Sequence, residues 1–153
     1  MEILRAYTRH LSLIVGLFDE YRRRFSQPPD LGASRVFLAD RPEKRDSAIF
    51  FASEGSGSFQ RALGFMQLDP TFSSLPLQRI WILSDLYVIP GCRRHGVARA
   101  LHERARQLAV ETRASGITLA AGRENSVAQR LCEALGYQRE EKERHFYLSL
   151  DTE

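Results

Sequence analysis

Cysteine and long apolar runs are both scarce in this sequence, and each shortage excludes classes of protein. Only two cysteines, Cys92 and Cys132, occur among 153 residues, and their spacing fits neither a zinc site nor a disulfide-dense secreted protein. No apolar stretch approaches the roughly 20 residues that a membrane-spanning helix needs. The first residues also lack the basic, apolar and cleavage-site order of a signal peptide. We therefore expect a cytoplasmic protein with no metal ion, no stabilising disulfide and no membrane contact.

Charge of one sign is not in large excess either. The 22 basic and 19 acidic residues leave a net charge of +3, which suits a phosphorylated ligand or nucleic acid without requiring either. A hydrophobic content of 43% is ordinary for a globular protein. The length fits one domain, and we find no repeat or linker. We expect a single domain over residues 1–153.

The spacing of apolar residues predicts an α/β protein with an antiparallel front half and a βαβ back half. The expected strands are 2–8, 47–53, 59–68, 79–89, 117–121 and 143–150. The expected helices are 11–25, a shorter stretch within 31–41, 96–114 and 125–137. We also expect a hairpin turn at 54–58, a loop at 69–78, a helix end at Gly116 and a capping box formed by Ser126 and Gln129.

The stretch "YVIPGCRRHGVARAL", residues 87–101, joins the central strand to a helix through a basic, glycine-rich turn. The first turn of a helix leaves backbone N–H groups unpaired, and these attract anions. Gly96 has no Cβ, so a phosphate oxygen can approach the main chain there, and Arg93, Arg94 and Arg99 add positive charge. A polyphosphate ligand is one interpretation. The other is an ordinary turn that ends the strand and begins the helix. The patterns typical of ATP and NAD sites are absent.

Two segments resemble motifs of the GNAT superfamily of N-acetyltransferases. "LYVIPGCRRHGVARAL" is similar to motif A, with Gly96 and Ala98 in the glycine places, and "NSVAQRLCEALGY" is similar to motif B. The front half resembles the branch that includes histone and polyamine acetyltransferases. The resemblance implies a mixed, mostly antiparallel central sheet with a splayed parallel strand pair and flanking helices.

The resemblance also implies that acetyl-CoA is the cosubstrate. The main chain at Tyr87 and Val88 would pair with its pantetheine arm, Arg93 would brace the turn, and Asn125 and Ala128 would lie near the thioester end. The N–H of Val88 could also polarise the thioester carbonyl. The N–H groups implied for the pyrophosphate are those of Arg94, His95, Gly96, Val97, Ala98 and Arg99.

The implied reaction is direct acetyl transfer to a primary amine on a polyamine, a lysine side chain or a small molecule. The glutamate that many GNAT enzymes use as the base maps onto Ile82 or Ser84. Asp85 is adjacent, but strand alternation turns it to the face opposite Ser84, which favours a structural hydrogen bond. The expected base is a chain of water molecules that carries the proton of the amine away, with backbone carbonyls or Ser84 as its hydrogen-bond partners.

The tyrosine that usually acts as the general acid is replaced by Cys132. A thiol suits the departing thiolate as a proton donor, whereas the alternative is a small buried apolar residue. His95 is expected to be solvated or to face a phosphate. We assign no role to His102, expected on a polar helix face, or to His145.

Other interpretations remain open from the sequence. The departures from the family pattern are compatible with a catalytically silent CoA-binding domain. A nucleic-acid-binding module using "YRRR" and "CRRH" is disfavoured because acidic residues interrupt the basic ones. The family often pairs through final strands, so a homodimer is plausible, and a polyamine would favour acidic neighbours such as Asp30, Asp69 and Asp85.

Overall fold

The computed structural model describes residues 1–44, 47–142 and 144–150, in two compact units, Met1–Ala120 and Ala121–Glu153. The first unit holds a five-stranded sheet and three α-helices. Its strands are β1 (Glu2–Arg5), β2 (Ala48–Glu54), β3 (Arg61–Ser73), β4 (Gln78–Val88) and β5 (Gly116–Leu119). Its helices are α1 (Leu11–Arg24), α2 (Leu31–Lys44) and α3 (Val97–Glu111).

The sheet is mixed, as expected. Its strands lie in chain order from β1 to β5. The pairs β1–β2, β2–β3 and β3–β4 are antiparallel, and the pair β4–β5 is parallel. α3 connects β4 to β5, because parallel neighbours need a crossover connection. This confirms the predicted strand–helix–strand arrangement.

Apolar side chains cover both faces of the sheet. Alternate residues of a strand point to opposite faces, so Phe50 packs on the α3 side while Ile49 and Phe51 pack on the α1 side. α3 contributes Leu101 and Ala105 to the first core. The core on the other face includes Leu11, Ile14, Phe18 and Leu38. A strand buried on both faces reads as a continuous apolar run, which is what residues 48–52 show.

The loop expected at residues 69–78 is wrong except at residues 74–77, which form a turn. β3 continues through Ser73 and β4 begins at Gln78, so the two strands form a long hairpin. Pro70 lies within β3 opposite Trp81. Proline is tolerated there because β2 pairs with β3 only as far as Leu68, which leaves Pro70 beyond the part of β3 that β2 covers.

Two helix boundaries also differ from expectation. α3 ends at Glu111, and Gly116 opens β5 instead of ending the helix. Thr112 follows the helix and its hydroxyl accepts a hydrogen bond from Trp81 Nε1 at 2.8 Å. α2 has 14 residues, longer than the short helix expected. No helix in the described ranges combines the length and apolar content needed to cross a bilayer.

The second unit contains one helix, α4 (Ser126–Ala134). Gly136 follows it with a φ of 99°, the left-handed conformation typical of a helix end. The final strand expected at 143–150 is wrong for residues 144–150, which carry no strand; Glu143 lies outside the described residues. Alternating apolar residues do not make a strand without a hydrogen-bonded neighbour.

Candidate active site

The outer edge of β4 opens where β5 ends. β5 pairs with β4 only from Ile80 to Leu83, whereas β4 continues along β3 to Val88. Ile89 donates its N–H to Leu63 O on β3 at 3.0 Å. Because main-chain groups alternate along an extended strand, the N–H of Val88 points to the other, open edge. Within the part of the chain described, no strand pairs with this edge between Ser84 and Val88.

The basic turn after β4 has a backbone that demands glycine. Gly96 adopts a φ of 82° and Arg94 a φ of 65°, both in the left-handed region. A Cβ placed on Gly96 would meet no atom within 4 Å, so its positive φ, and not steric crowding, explains the glycine. Arg93 Nε donates to Val88 O at 3.0 Å, and its guanidinium lies 5.6 Å from the Tyr87 ring. Arg93 thus joins the turn to the end of β4.

The start of α3 presents unpaired donors beside this turn. Gly96 occupies the position before the helix, and no side chain of the described residues caps it. The first intrahelical bond runs from Ala100 N to Gly96 O. The earlier N–H groups, from Val97 to Arg99, are therefore oriented outward at the positive end of the helix dipole. This arrangement fits a phosphate group.

A β-bulge in β4 overturns the expected orientation of Asp85. Leu83 pairs with Leu68 and Asp85 with Gln67, so Ser84 is one extra residue between them. Leu83 packs in the α3-side core, yet Asp85 faces α1, where Tyr21 Oη donates to Asp85 Oδ1 at 2.8 Å. Ser84 Oγ donates to Gln67 O at 3.3 Å and lies close enough to Asp85 to lower the pKa of its carboxyl group. The two side chains share a face because the extra residue breaks the alternation.

The pKa of Asp85 is raised above its usual value. Burial is the main cause, and the charge of Asp69 acts in the same direction. The hydrogen bonds from Tyr21 and Ser84 oppose this shift because they stabilise the charged form. The structural hydrogen bond expected for Asp85 is therefore present, and it accompanies a carboxyl group whose pKa is raised.

Asp69 joins Asp85 on this face, and Asp30 does not. Ser47 Oγ donates to Asp69 Oδ1 at 2.6 Å, and Gln67 Nε2 donates to the same oxygen at 3.3 Å. Asp30 Oδ1 instead accepts the N–H of Ala33 at 3.0 Å at the start of α2. Asp30 is thus a helix cap, which ordinary N-cap preference explains.

α1 supplies the polar groups that meet the end of β4. Glu20 accepts a hydrogen bond from Tyr87 Oη at 2.8 Å, one residue before Tyr21 reaches Asp85. The arginine triplet on the same helix is engaged locally, since Arg22 and Arg23 lie 3.2 and 3.9 Å from Asp19. These pairs and the position at the helix C-terminus account for the triplet without a ligand.

The second unit carries the remaining predicted site residues. Asn125 caps α4, because its Oδ1 accepts the N–H of Ala128 at 3.1 Å. The expected capping box is wrong: Gln129 Nε2 donates to Gly122 O and Arg123 O, and Ser126 is the first helical residue. Cys132 is half-buried on α4.

The environment of Cys132 weakens its thiol as an acid. Burial raises the pKa of the Cys132 thiol, so the thiol gives up its proton less readily than a solvated cysteine. Its acidity therefore moves toward that of the tyrosine it replaces in the family motif.

The expectation for His102 is wrong. His102 is 4% exposed on the inner side of α3, not on a polar face. Burial lowers the pKa of its imidazole, with the charge of Arg106 acting in the same direction. Cys92 is half-buried beside the turn. Among the residues described, no three His, Cys, Asp or Glu side chains converge as metal ligands would.

Comparison with known proteins places the chain in a family. The family model described as the acetyltransferase (GNAT) family matches residues 14–137. The chain belongs to the GNAT family. An uncharacterized N-acetyltransferase of Bacillus subtilis, YhfO, is 37% identical over 150 residues, 98% of each chain.

Solved structures agree with this membership. The crystal structure of a probable acetyltransferase superposes with a TM-score of 0.91 at 37% identity, covering both chains completely. An aminoglycoside N-acetyltransferase in complex with CoA shares the fold at 20% identity, with a TM-score of 0.78 over 98% of this chain and 95% of the other. The chain is accordingly an N-acetyltransferase, and GNAT membership supports the use of acetyl-CoA.

Three residues that position this GNAT site escaped the sequence reasoning. Gly64 lies opposite Val88, and a Cβ there would come within 2.7 Å of Tyr87 O, so only glycine permits the close approach of β3 and β4. Gln67 and Tyr21 flank Asp85. A glycine inside an apolar strand indicates a close approach of two backbones, and this pattern identifies Gly64. No local pattern identifies Tyr21 and Gln67, because their contacts depend on long-range packing.

Proposed function

We propose that the chain transfers an acetyl group from acetyl-CoA to a primary amine at the open edge of β4. One observation carries the proposal: β4 runs past the end of β5 to Val88 and is followed directly by an uncapped, arginine-flanked helix start. The edge of a strand can pair with an extended amide-bearing arm. The helix start can receive a diphosphate.

The main chain around Tyr87 and Val88 pairs with the pantetheine arm through the groups on the open edge, since those of Tyr87 itself face β3. Arg93 braces the turn through Val88 O. Asn125 and Ala128, at the start of α4, lie near the thioester end. The diphosphate accepts hydrogen bonds from the N–H groups of Arg94, His95, Gly96, Val97, Ala98 and Arg99.

Acetyl-CoA supplies an acetyl group activated as a thioester. The N–H of Val88 donates to the carbonyl oxygen as negative charge develops there. An alkylammonium of pKa about 10.4 must lose a proton before it attacks, at a cost of roughly 4–5 kcal/mol at neutral pH. That proton passes through water and the Ser84 hydroxyl to Asp85, whose raised pKa suits it to accept. Cys132 donates a proton to the departing sulfur.

The wider organisation is also a proposal. We propose a single functional domain over residues 1–153, related to the histone and polyamine acetyltransferase branch. The protein works in the cytoplasm as a homodimer and needs neither a metal ion, a membrane nor nucleic acid.

Calorimetry and mass spectrometry test the proposal together. We expect CoA to bind and acetyl-CoA to acetylate at least one amine in a panel of small amines, polyamines and lysine peptides. Arg94→Gln should weaken CoA binding about three- to tenfold, since a charge-assisted contact to phosphate is lost. Arg106→Gln, on the exposed face of α3 and paired with Glu103 at 3.7 Å, is the matched control and should leave binding unchanged. CoA binding with no acetylated amine would refute the reaction, and absence of CoA binding would refute the site.

The role of Cys132 has its own test. We expect Cys132→Ala to lower kcat by about tenfold or more, and Cys132→Tyr to retain most of the rate, because tyrosine also donates a proton. Unchanged turnover in the alanine variant would show that Cys132 is not the acid.

A further inference from the structure

A polar cluster lies on the α1 side of the sheet, apart from the end of β4. It joins β3, β4 and the residue that precedes β2, and its members all belong to the first unit. We call it the Asp69–Asp85 cluster; it consists of Ser47, Gln67, Asp69, Ser84 and Asp85, with Tyr21 of α1 above them. The helix cap, salt bridges and core of this unit do not account for the placement of two carboxylates here.

Gln67 has a buried oxygen that no described residue satisfies. Gln67 is 4% exposed, and its Nε2 donates to Asp69 Oδ1, which fixes the orientation of the amide. The reversed amide would direct Oε1 at the carboxylate. In the present orientation Oε1 has no hydrogen-bond partner among the residues described. Buried carbonyl oxygens are rarely left unpaired, so this one marks a place for a hydrogen-bond donor.

The two carboxylates lack basic partners. In the described part of the chain, no Lys, Arg or His forms an ion pair with Asp69 or Asp85. Their mutual repulsion is strong enough to affect the titration of Asp85. Two partly buried like charges are costly unless a cation joins them. Gln67 Oε1 and the Asp69 carboxylate lie side by side and offer acceptors to an alkylammonium, which has three N–H donors.

Distances along the sheet separate this cluster from the reacting centre. Asp85 lies three residues before Val88, about 10 Å along an extended strand. Asp69 lies further away, two residues along β3 from Gln67, the partner of Asp85, and such diagonal neighbours are about 7–8 Å apart. Val88, Asp85 and Asp69 therefore follow one another in order of distance from the proposed thioester.

We infer that Asp69 and Gln67 bind a second ammonium group of the acceptor, so that the acceptor is a diamine or a longer polycation. The inference rests on the proposed function, because it extends the same site. The reacting amine lies between Val88 and Asp85, where its proton is removed. The second amine remains charged and donates to Asp69 and to Gln67 Oε1.

Paired substrates of equal length test this directly. We expect kcat/KM for 1,4-diaminobutane to exceed that for 1-aminobutane, chiefly through a lower KM, by roughly 10–100-fold for a partly buried charge pair. Asp69→Asn should remove this preference, measured as the ratio of the two kcat/KM values in the same variant, because the amide still accepts from Ser47 but no longer carries the charge. Glu111→Gln, an exposed carboxylate at the far end of α3 paired with Arg104, is the matched control and should keep the preference.

The outcomes separate this inference from the proposed function. Equal use of the two amines, or an Asp69→Asn variant that keeps the diamine preference, overturns the second-ammonium subsite while acetyl transfer stands. Acetylation of monoamines but not of diamines would also overturn the subsite while acetyl transfer stands. If no amine is acetylated, the proposed function fails, and calorimetry of 1,4-diaminobutane then decides: binding lost in Asp69→Asn supports the subsite, and no binding to the unaltered protein overturns it.

Discussion

At the scale of single residues, Asp85 controls the pH at which the proposed proton transfer works. The base must be deprotonated, and burial raises the pKa of Asp85 above the ordinary value of 3.8. We therefore expect the acidic limb of the kcat profile to lie at higher pH than an exposed aspartate would give. Asp85→Asn should lower kcat by about 10²–10⁴-fold and abolish that limb.

The same shift predicts the effect of Asp85→Asn on stability. A group with a raised folded-state pKa stabilises the fold while protonated and loses that contribution as pH rises through the folded value. Above the folded-state pKa the ionised Asp85 therefore opposes folding, and the neutral amide of Asp85→Asn should not lower Tm there. An amide variant with normal kcat and a lower Tm would show that Asp85 is only structural.

Removing the Tyr21 hydroxyl provides a second test of whether Asp85 sets the acidic limb. Its hydroxyl donates to Asp85 and lowers the pKa of that group, against the larger effect of burial. Tyr21→Phe keeps the ring that packs against Phe65 but removes this hydrogen bond. We expect the acidic limb to move to higher pH in the variant. A limb that stays in place would assign it to a group other than Asp85.

Asp19 is a buried residue whose charge serves the fold. It is 3% exposed and accepts from Asp30 N, Ser34 Oγ and Arg22 Nη1 at 2.9, 3.1 and 3.2 Å. These bonds, the backbone N–H of Asp30 first, lower its pKa below the ordinary 3.8. Its stabilisation is thus present above that pH and is lost as pH falls through the folded value.

We expect Asp19→Asn to unfold at a lower temperature than the unaltered protein at neutral pH. The difference in Tm should shrink as the pH falls below about 3.8, because protonation then removes the same charge from the native residue. Thermal melts by circular dichroism across this range provide the measurement. A pH-independent difference would mean that packing, and not charge, is responsible.

At the scale of elements, the close approach of β3 to β4 holds in place the edge of β4 that we propose as the cofactor site. A Cβ on Gly64 would lie 2.7 Å from Tyr87 O, and backbone atoms cannot yield as a flexible side chain can. Gly64→Ala should cost about 1–3 kcal/mol of unfolding free energy, as overpacking does. It should also weaken CoA binding, because the end of β4 must move.

Gly16→Ala is the matched control for that substitution. Gly16 lies within α1, and a Cβ there meets no atom within 4 Å. Alanine in an open helical position should stabilise the protein by about 0.5–1 kcal/mol and leave CoA binding unchanged. Equal effects of the two substitutions would remove the argument that β3–β4 contact shapes the edge.

At the scale of the whole molecule, CoA should stabilise the native chain. A ligand at a hundred times its Kd adds about 2.7 kcal/mol to the free energy of unfolding. For a chain of this length that corresponds to roughly 5–10 °C in Tm. Pantetheine, which lacks the diphosphate, should give a smaller shift at the same concentration. Equal shifts would show that the start of α3 contributes no binding energy.

The sequence by itself determined the class of fold and indicated the turn that we propose as the cofactor site. Apolar periodicity is local, so it predicted the α1, β4 and α3 segments and the parallel pair that α3 connects. The basic turn is also local, since helix dipole, unpaired N–H groups and a left-handed Gly96 all arise within a few residues. These features need no knowledge of distant parts of the chain.

The tertiary structure alone decided which polar side chains meet. The bulge at Ser84 depends on how β4 pairs with β3, and one extra residue reverses the face of Asp85. The partners of Asp85 and Asp69 lie 64 and 22 residues away in the chain, and Gln67 is a polar residue that is only 4% exposed in the folded sheet. Strand register and helix packing set these contacts, and a one-residue change in register moves every side chain to the other face.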